Sequence, residues 1–278
     1  MKKIWLLAFI LSAFLINADA QHKLVKLWES DTTLKVPESV LYDAGDKILY
    51  VTNIDGQPWD ADGKGSLAKV GLDGKIINAE WITGMHAPKG IGRYKNKLYI
   101  GDVTEVVVID ISAGKIEKKI AVPGSSGLND VSVDPSGVVY VSDSRAKKVF
   151  RLDNEVPTLV IDSTNGLKGP NGVLIHNGEL FVLDAGAMYS VGADKVLKKI
   201  AEGMDGGTDG IENVKGKEFI VSCWAGQLFY INADGTKETL LDTRQQKINT
   251  ADIGYDAKNR ILYVPTFWKN NIVAYRVD

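Results

Sequence analysis

The chain has one cysteine, Cys223, in 278 residues, so no disulfide can form within it and the fold must be held without covalent staples. Its setting, Phe219-Ile220-Val221-Ser222-Cys223-Trp224, reads as a strand carrying a buried, inert thiol. Histidine is scarce too: His22, His86 and His176 are too few and too scattered for a histidine-rich metal centre or a Ser-His-Asp machine. Charge of either sign is balanced, with a formal net charge of −2, and no basic run is interleaved with aromatics. Nucleic acid and anionic membrane surfaces are therefore not expected as partners. Nucleotides are not expected either, because Gly63-Lys64-Gly65-Ser66 lacks the first glycine of a phosphate-cradling loop. Long apolar runs are missing except for residues 4–16, which follow Lys2-Lys3 and precede Ala18-Asp19-Ala20. That run is shorter than the ~20 residues a membrane-crossing helix needs. Its flanks read as a signal peptide over residues 1–20, with Gln21 the first mature residue and a periplasmic or secreted destination. With no cysteine near that junction, no membrane anchor is expected.

A helical period is also lacking after Gln21, and what fills its place is short apolar-polar alternation broken by turn residues. The clearest stretch runs from Gly127 to Ser144, GLNDVSVDPSGVVYVSDS, two alternating runs about the turn Asp134-Pro135-Ser136-Gly137. This is a β-hairpin pattern, with the polar pair Asn129-Asp130 just ahead of its first strand. The phrase recurs. Its copies begin around Pro37-Glu38, Pro88-Lys89, Asn129-Asp130, Pro170-Asn171, Thr208-Asp209 and Ala251-Asp252, at steps of 38 to 51 residues. Such a period fits a four-stranded propeller blade, and six copies predict an all-β, six-bladed β-propeller in one domain, 21–278. The strand-like ends, Lys23–Trp28 and Asn271–Val277, are expected to pair and close the ring.

Loops entering the innermost strands of a propeller converge on its channel, so Glu38, Lys89, Asn129, Asn171, Asp209 and Asp252 are taken as equivalent points facing one funnel. Carboxylate and carboxamide oxygens without His or Cys suit a hard cation, calcium or magnesium before manganese. Asn and Asp also suit turns at strand entries for their own sake, so spacing alone leaves both readings open. His86 stands ahead of Pro88-Lys89 and is placed at the channel mouth, while Trp59, Trp224, Phe267 and Trp268 are candidate pocket walls.

Taken together, Pro37-Glu38, Asn129-Asp130 with Val133-Asp134-Pro135-Ser136-Gly137, Gly169-Pro170-Asn171-Gly172 and Asp209-Gly210-Ile211 resemble the successive motifs of the senescence marker protein, gluconolactonase and luciferin-regenerating enzyme family. The resemblance spans 21–278 and is nearest to a bacterial exported, lactonase-like subgroup. It implies one divalent metal held by Glu38, Asn171 and Asp209 with Asn129 beside them: calcium first, then magnesium, manganese or zinc. It also implies hydrolysis of a sugar lactone or related ester; Lys89, Asn129 and His86, as channel-facing residues, are the expected substrate contacts. Asp209 is then the expected base, and Asp252 the alternative. Two departures stand out: Gly127 occupies a position where such lactonases carry an arginine, and Ser39-Val40 replace the Gly-Pro after the glutamate. The second expectation, from a different class, is a non-catalytic propeller that binds a ligand or a protein and uses the metal structurally.

Overall fold

A computed structural model describes residues 21–278; the expected signal peptide lies outside the described residues. Twenty-four strands, numbered in chain order, form six four-stranded antiparallel sheets, the six-bladed propeller that the repeats predict. Five blades are sequential meanders, opening on the inner strands β2 (Pro37–Asp43), β6 (Pro88–Tyr94), β10 (Leu128–Val133), β14 (Pro170–His176) and β18 (Thr208–Lys215). The sixth joins β22 (Gly254–Asp256), β23 (Ile261–Pro265) and β24 (Ile272–Val277) to β1 (Leu24–Glu29). In that blade Leu24 pairs with Val277 and Glu29 with Val273, so both chain ends are stitched into one sheet. Closure leaves no blade to unzip from a free end. Glu29 reinforces it: hydrogen bonds from Lys26 and Lys269 hold its carboxyl down to about 2, and Asn271 donates to it as well.

The core lies between the blades. Phe181, Leu183 and Met188 of blade four pack on Phe219, Val221 and Phe229 of blade five, with the Phe181 and Phe219 ring centroids 4.9 Å apart. Tyr263 of blade six packs on Leu49 and Val51 of blade one, and comparable apolar layers separate the other neighbours. A single twisted sheet cannot bury both faces alone; each blade depends on the next.

One irregularity recurs in the inner strands and builds everything that follows. Pro37 pairs with Asn53 and Val40 with Val51, so three steps on β2 oppose two on β3 (Ile48–Asn53). The same shift occurs at Pro88/Ile91, Leu128/Val131, Pro170/Val173 and Thr208/Ile211. An extra residue in a strand leaves an amide without its ladder partner and re-aims the side chains around it. At three of the five bulges a hydroxyl takes up the amide. Ser39 N donates to Thr52 Oγ1 (3.0 Å), Asp130 N to Ser142 Oγ (3.0 Å) and Gly210 N to Ser222 Oγ (2.7 Å). Thr52 then donates to Lys89 O (2.9 Å) and Ser222 to Ala251 O (2.8 Å), tying these two bulges to the following blade. An amide left unpaired in such an interior costs about 1–3 kcal/mol.

Candidate functional site

The first residue of each bulge points to one end of the channel. Glu38, Lys89, Asn129, Asn171 and Asp209 line a single cavity of about 340 Å³, walled by Trp59, Trp224 and Phe267. Five of the six expected residues thus meet despite wide separation in sequence.

Asp252 does not join them, and the reason is a one-residue offset. Asp256 pairs with Ile261 as Asp43 pairs with Ile48, so counting back puts Ala251 at the place of Glu38 and Asp252 at the place of Ser39. In an extended strand one residue reverses the side-chain direction. Asp252 accordingly lines a second cavity, of about 250 Å³, with Ser39, Asp130 and Glu212. Chemistry in the Glu38 cavity has no base in Asp252. His86 is also displaced from its expected role: its Nδ1 accepts from Gly63 N (3.1 Å) and its own amide donates to Asp102 Oδ2 (2.9 Å). It orders the loop after Trp59 instead of lining the cavity. Trp268 stands outside the cavity, edge-on to Phe267 at 4.8 Å.

Within the first cavity the polar groups are arranged by their neighbours. Asn171 Nδ2 donates to Asp209 Oδ1 (2.9 Å) and Asn129 Nδ2 to Ser144 Oγ (2.9 Å), and Ser144 in turn donates to Pro170 O (2.8 Å). Both amide groups are thereby oriented with their nitrogens occupied. Two buried acceptors have no hydrogen-bond partner: Glu38 Oε2 and Asn171 Oδ1. Lys89 is 2% exposed, with Nζ 3.9 Å from Glu38 Oε1 and 4.4 Å from the centre of the Trp59 ring. Burial pushes the Lys89 ammonium below its ordinary range, and the charges of Glu38 and Asp209 oppose that shift. Burial pushes Glu38 up to about 7, with Lys89 opposing. Asp209 is driven well above the usual carboxylate range by burial and by the charge of Glu38.

Among the described residues no three His, Cys, Asp or Glu side chains gather as a metal-ligand group. Any ion here would rest on two carboxylates and two amides. The oxygens fit one: unpartnered Glu38 Oε2 and Asn171 Oδ1, beside Asp209, are the hard donors that calcium or magnesium takes. Lys89 is the feature that such a site does not need.

The second cavity is satisfied internally. Asp130 accepts from Val131 N (2.6 Å) and Val173 N (2.7 Å), and Ser39 Oγ donates to Asp252 Oδ2 (2.5 Å). Burial and the charge of Asp130 drive Asp252 well above the usual carboxylate range. Burial pushes Asp130 up to about 6 and Glu212 up to about 8. Gly90 and Gly210 make room for the pair: a Cβ on Gly90 would stand 2.5 Å from Asp130 Cα, and one on Gly210 2.5 Å from Asp252 Oδ1. Cys223 is buried, with its thiol pushed up to about 12, the inert state its strand setting suggests.

No family model matches the chain, and no curated protein sequence matches it. Solved structures do. A candidate gluconolactonase superposes with a TM-score of 0.69 at 17% identity, covering 92% of each chain. A streptogramin B lyase gives 0.64 at 12% identity, over 92% of this chain and 97% of its own. A structural-genomics protein of unknown function from Bacteroides thetaiotaomicron gives 0.68 at 14% identity, over 92% and 76%. At such identities the shared property is the propeller fold.

Proposed function

We propose that the chain is an exported, divalent-metal-dependent hydrolase of a small lactone or ester, working in the Glu38 cavity. The observation that carries the reading is the pair of unpartnered, buried acceptor oxygens, Glu38 Oε2 and Asn171 Oδ1, beside Asp209. Glu38, Asn171 and Asp209 would hold the ion, with Asn129 next to it and its amide fixed by Ser144. A bound cation supplies Lewis-acid polarisation of a carbonyl. The chain's own groups do the rest. Asp209 takes a proton from water through the carboxylate oxygen that Asn171 does not hold. Lys89 faces negative charge developing on the substrate, and Trp59, Trp224 and Phe267 stack on its apolar face and exclude water. The fold likeness to a candidate gluconolactonase supports the same substrate class.

The test is turnover on a panel of aldonolactones with and without chelator. Hydrolysis of at least one member, lost on chelation and regained with calcium or magnesium, is expected. Failure to hydrolyse any member would overturn the enzyme reading. It would favour instead a propeller that binds a sugar-derived ligand without turnover, the reading to which Lys89 lends weight by already offsetting one carboxylate.

A further inference from the structure

Beside the cavity lies a basic side chain with nothing to pair with. Arg145 sits in the turn 144–147, directly after the serine that fixes Asn129, and is exposed. Among the described residues no carboxylate lies within ion-pair distance of it, although four of the other five arginines have one. Its position is set by Gly127. A Cβ there would stand 2.6 Å from Arg145 Cγ, 2.7 Å from Cδ and 2.9 Å from Cβ, so the arginine stem lies across the space that any other residue at 127 would fill. The stem delivers the guanidinium carbon to 6.0 Å from the ring of Trp59. Trp59 is also the ring over which Lys89 sits. Two bases therefore converge on one indole at the cavity wall, one buried and one at the rim.

Charge decides what this arrangement suits. With a divalent ion bound, the carboxylates of Glu38 and Asp209 offset the ion, so Lys89 and Arg145 are two positive charges left without partners. A neutral ligand would leave buried Lys89 without a counter-charge, whereas a carboxylate reaching the rim neutralises part of the excess and takes a forked hydrogen bond from a guanidinium.

We propose that the substrate carries a carboxylate apart from the bond that is cleaved, and that Arg145, held in place by the absence of a side chain at Gly127, is the residue that selects it. The proposal rests on the Glu38 cavity being the ligand site, and it names the substrate class for that cavity.

The experiment uses calorimetry on a matched pair of non-hydrolysable lactams of one ring size, the first bearing a hydroxymethyl group and the second a carboxylate in its place. The whole chain, with calcium or magnesium added, should bind the acidic lactam about tenfold or more tightly than the neutral one. Arg145→Ala should bring the ratio to within about twofold, and Arg145→Lys should retain part of it. Gly127→Ala keeps the charge but displaces the stem, and it too should erase most of the preference; a merely electrostatic effect of a surface base would survive it. Melting curves of each variant check that the fold is kept. Equal binding of the two lactams by the unaltered chain, binding of neither, or a preference that persists in both Arg145→Ala and Gly127→Ala overturns the proposal. If the acidic lactam is preferred as stated but no lactone is hydrolysed, the selection of a ligand carboxylate by Arg145 stands and the hydrolase reading is what fails.

Discussion

The two cavities of the channel are built from adjacent residues of the same bulges, yet they differ in what they leave unfinished. First positions, Glu38, Lys89, Asn129, Asn171 and Asp209, bring together groups whose hydrogen bonding is incomplete. Second positions, Ser39, Gly90, Asp130, Gly210 and Asp252, bring together two carboxyls that are held by Ser39 and by backbone amides. A polar group buried without a partner is a free-energy debit that a ligand can relieve, whereas a satisfied network only holds the fold. The difference teaches that an acidic side chain in a propeller channel is informative through its partners rather than its presence.

Breaking the first set should have the largest effect. Glu38→Gln and Asp209→Asn are each expected to lower lactone turnover by at least about 100-fold. Excess metal should not restore Asp209→Asn if the carboxylate is the base. Asp252→Asn should leave the rate within the same order of magnitude, and a dead Asp252→Asn with metal still bound would reverse the assignment. Kinetics beside a metal-binding titration read all three.

Breaking the second set should act on stability instead. Asp130→Ala strips the acceptor from Val131 N and Val173 N, at about 1–3 kcal/mol for each amide left unpaired. Urea unfolding measures this, and an unchanged midpoint would show that water replaces the carboxylate. The equivalent measurement on the first set is chelation. An ion present at about 100 times its dissociation constant stabilises the folded ring by about 2.7 kcal/mol. Its removal should lower the melting temperature by roughly 5–10 °C, with Glu38→Gln insensitive to chelator and Asp252→Asn as sensitive as the unaltered chain.

The smallest effect is the share that Glu212 has in a pH slope to which Glu38 and Asp130, pushed the same way by burial, also contribute. Glu212 rises from 4.5 to about 8 because burial disfavours its charged form. The folded chain then holds a proton that the unfolded chain releases, so this contribution is complete below about pH 4.5 and is lost as pH rises through about 8. Glu212→Gln should flatten the fall of the urea midpoint across that window. A slope that is unchanged in the variant assigns the proton to another group.

Much of this was legible before any coordinates. Period, turn chemistry and alternation specify six blades, because a sheet that must bury both faces needs neighbours on each side and leaves that requirement as a repeat. The strand-like ends specify closure for the same reason, and Leu24–Val277 pairing follows. The convergence of Glu38, Lys89, Asn129, Asn171 and Asp209 was readable from their equal phase before each strand. Asp252 was misplaced although its correction was present too: Tyr255-Asp256 to Ile261-Leu262-Tyr263-Val264 repeats the spacing of Tyr42-Asp43 to Ile48-Leu49-Tyr50-Val51, and counting from the turn instead of from the acid puts Ala251 at the place of Glu38.

Tertiary structure alone decided the partners. That Ser144 fixes Asn129, that His86 serves a loop, that Lys89 lies beneath Trp59 and that Arg145 crosses Gly127 are contacts between segments with no shared period. Repetition records what every blade has in common, the bulge and the direction of its side chains. Which oxygen stays free and which base stays unpaired depends on side chains met only once around the ring, and those meetings exist only when the ring has closed.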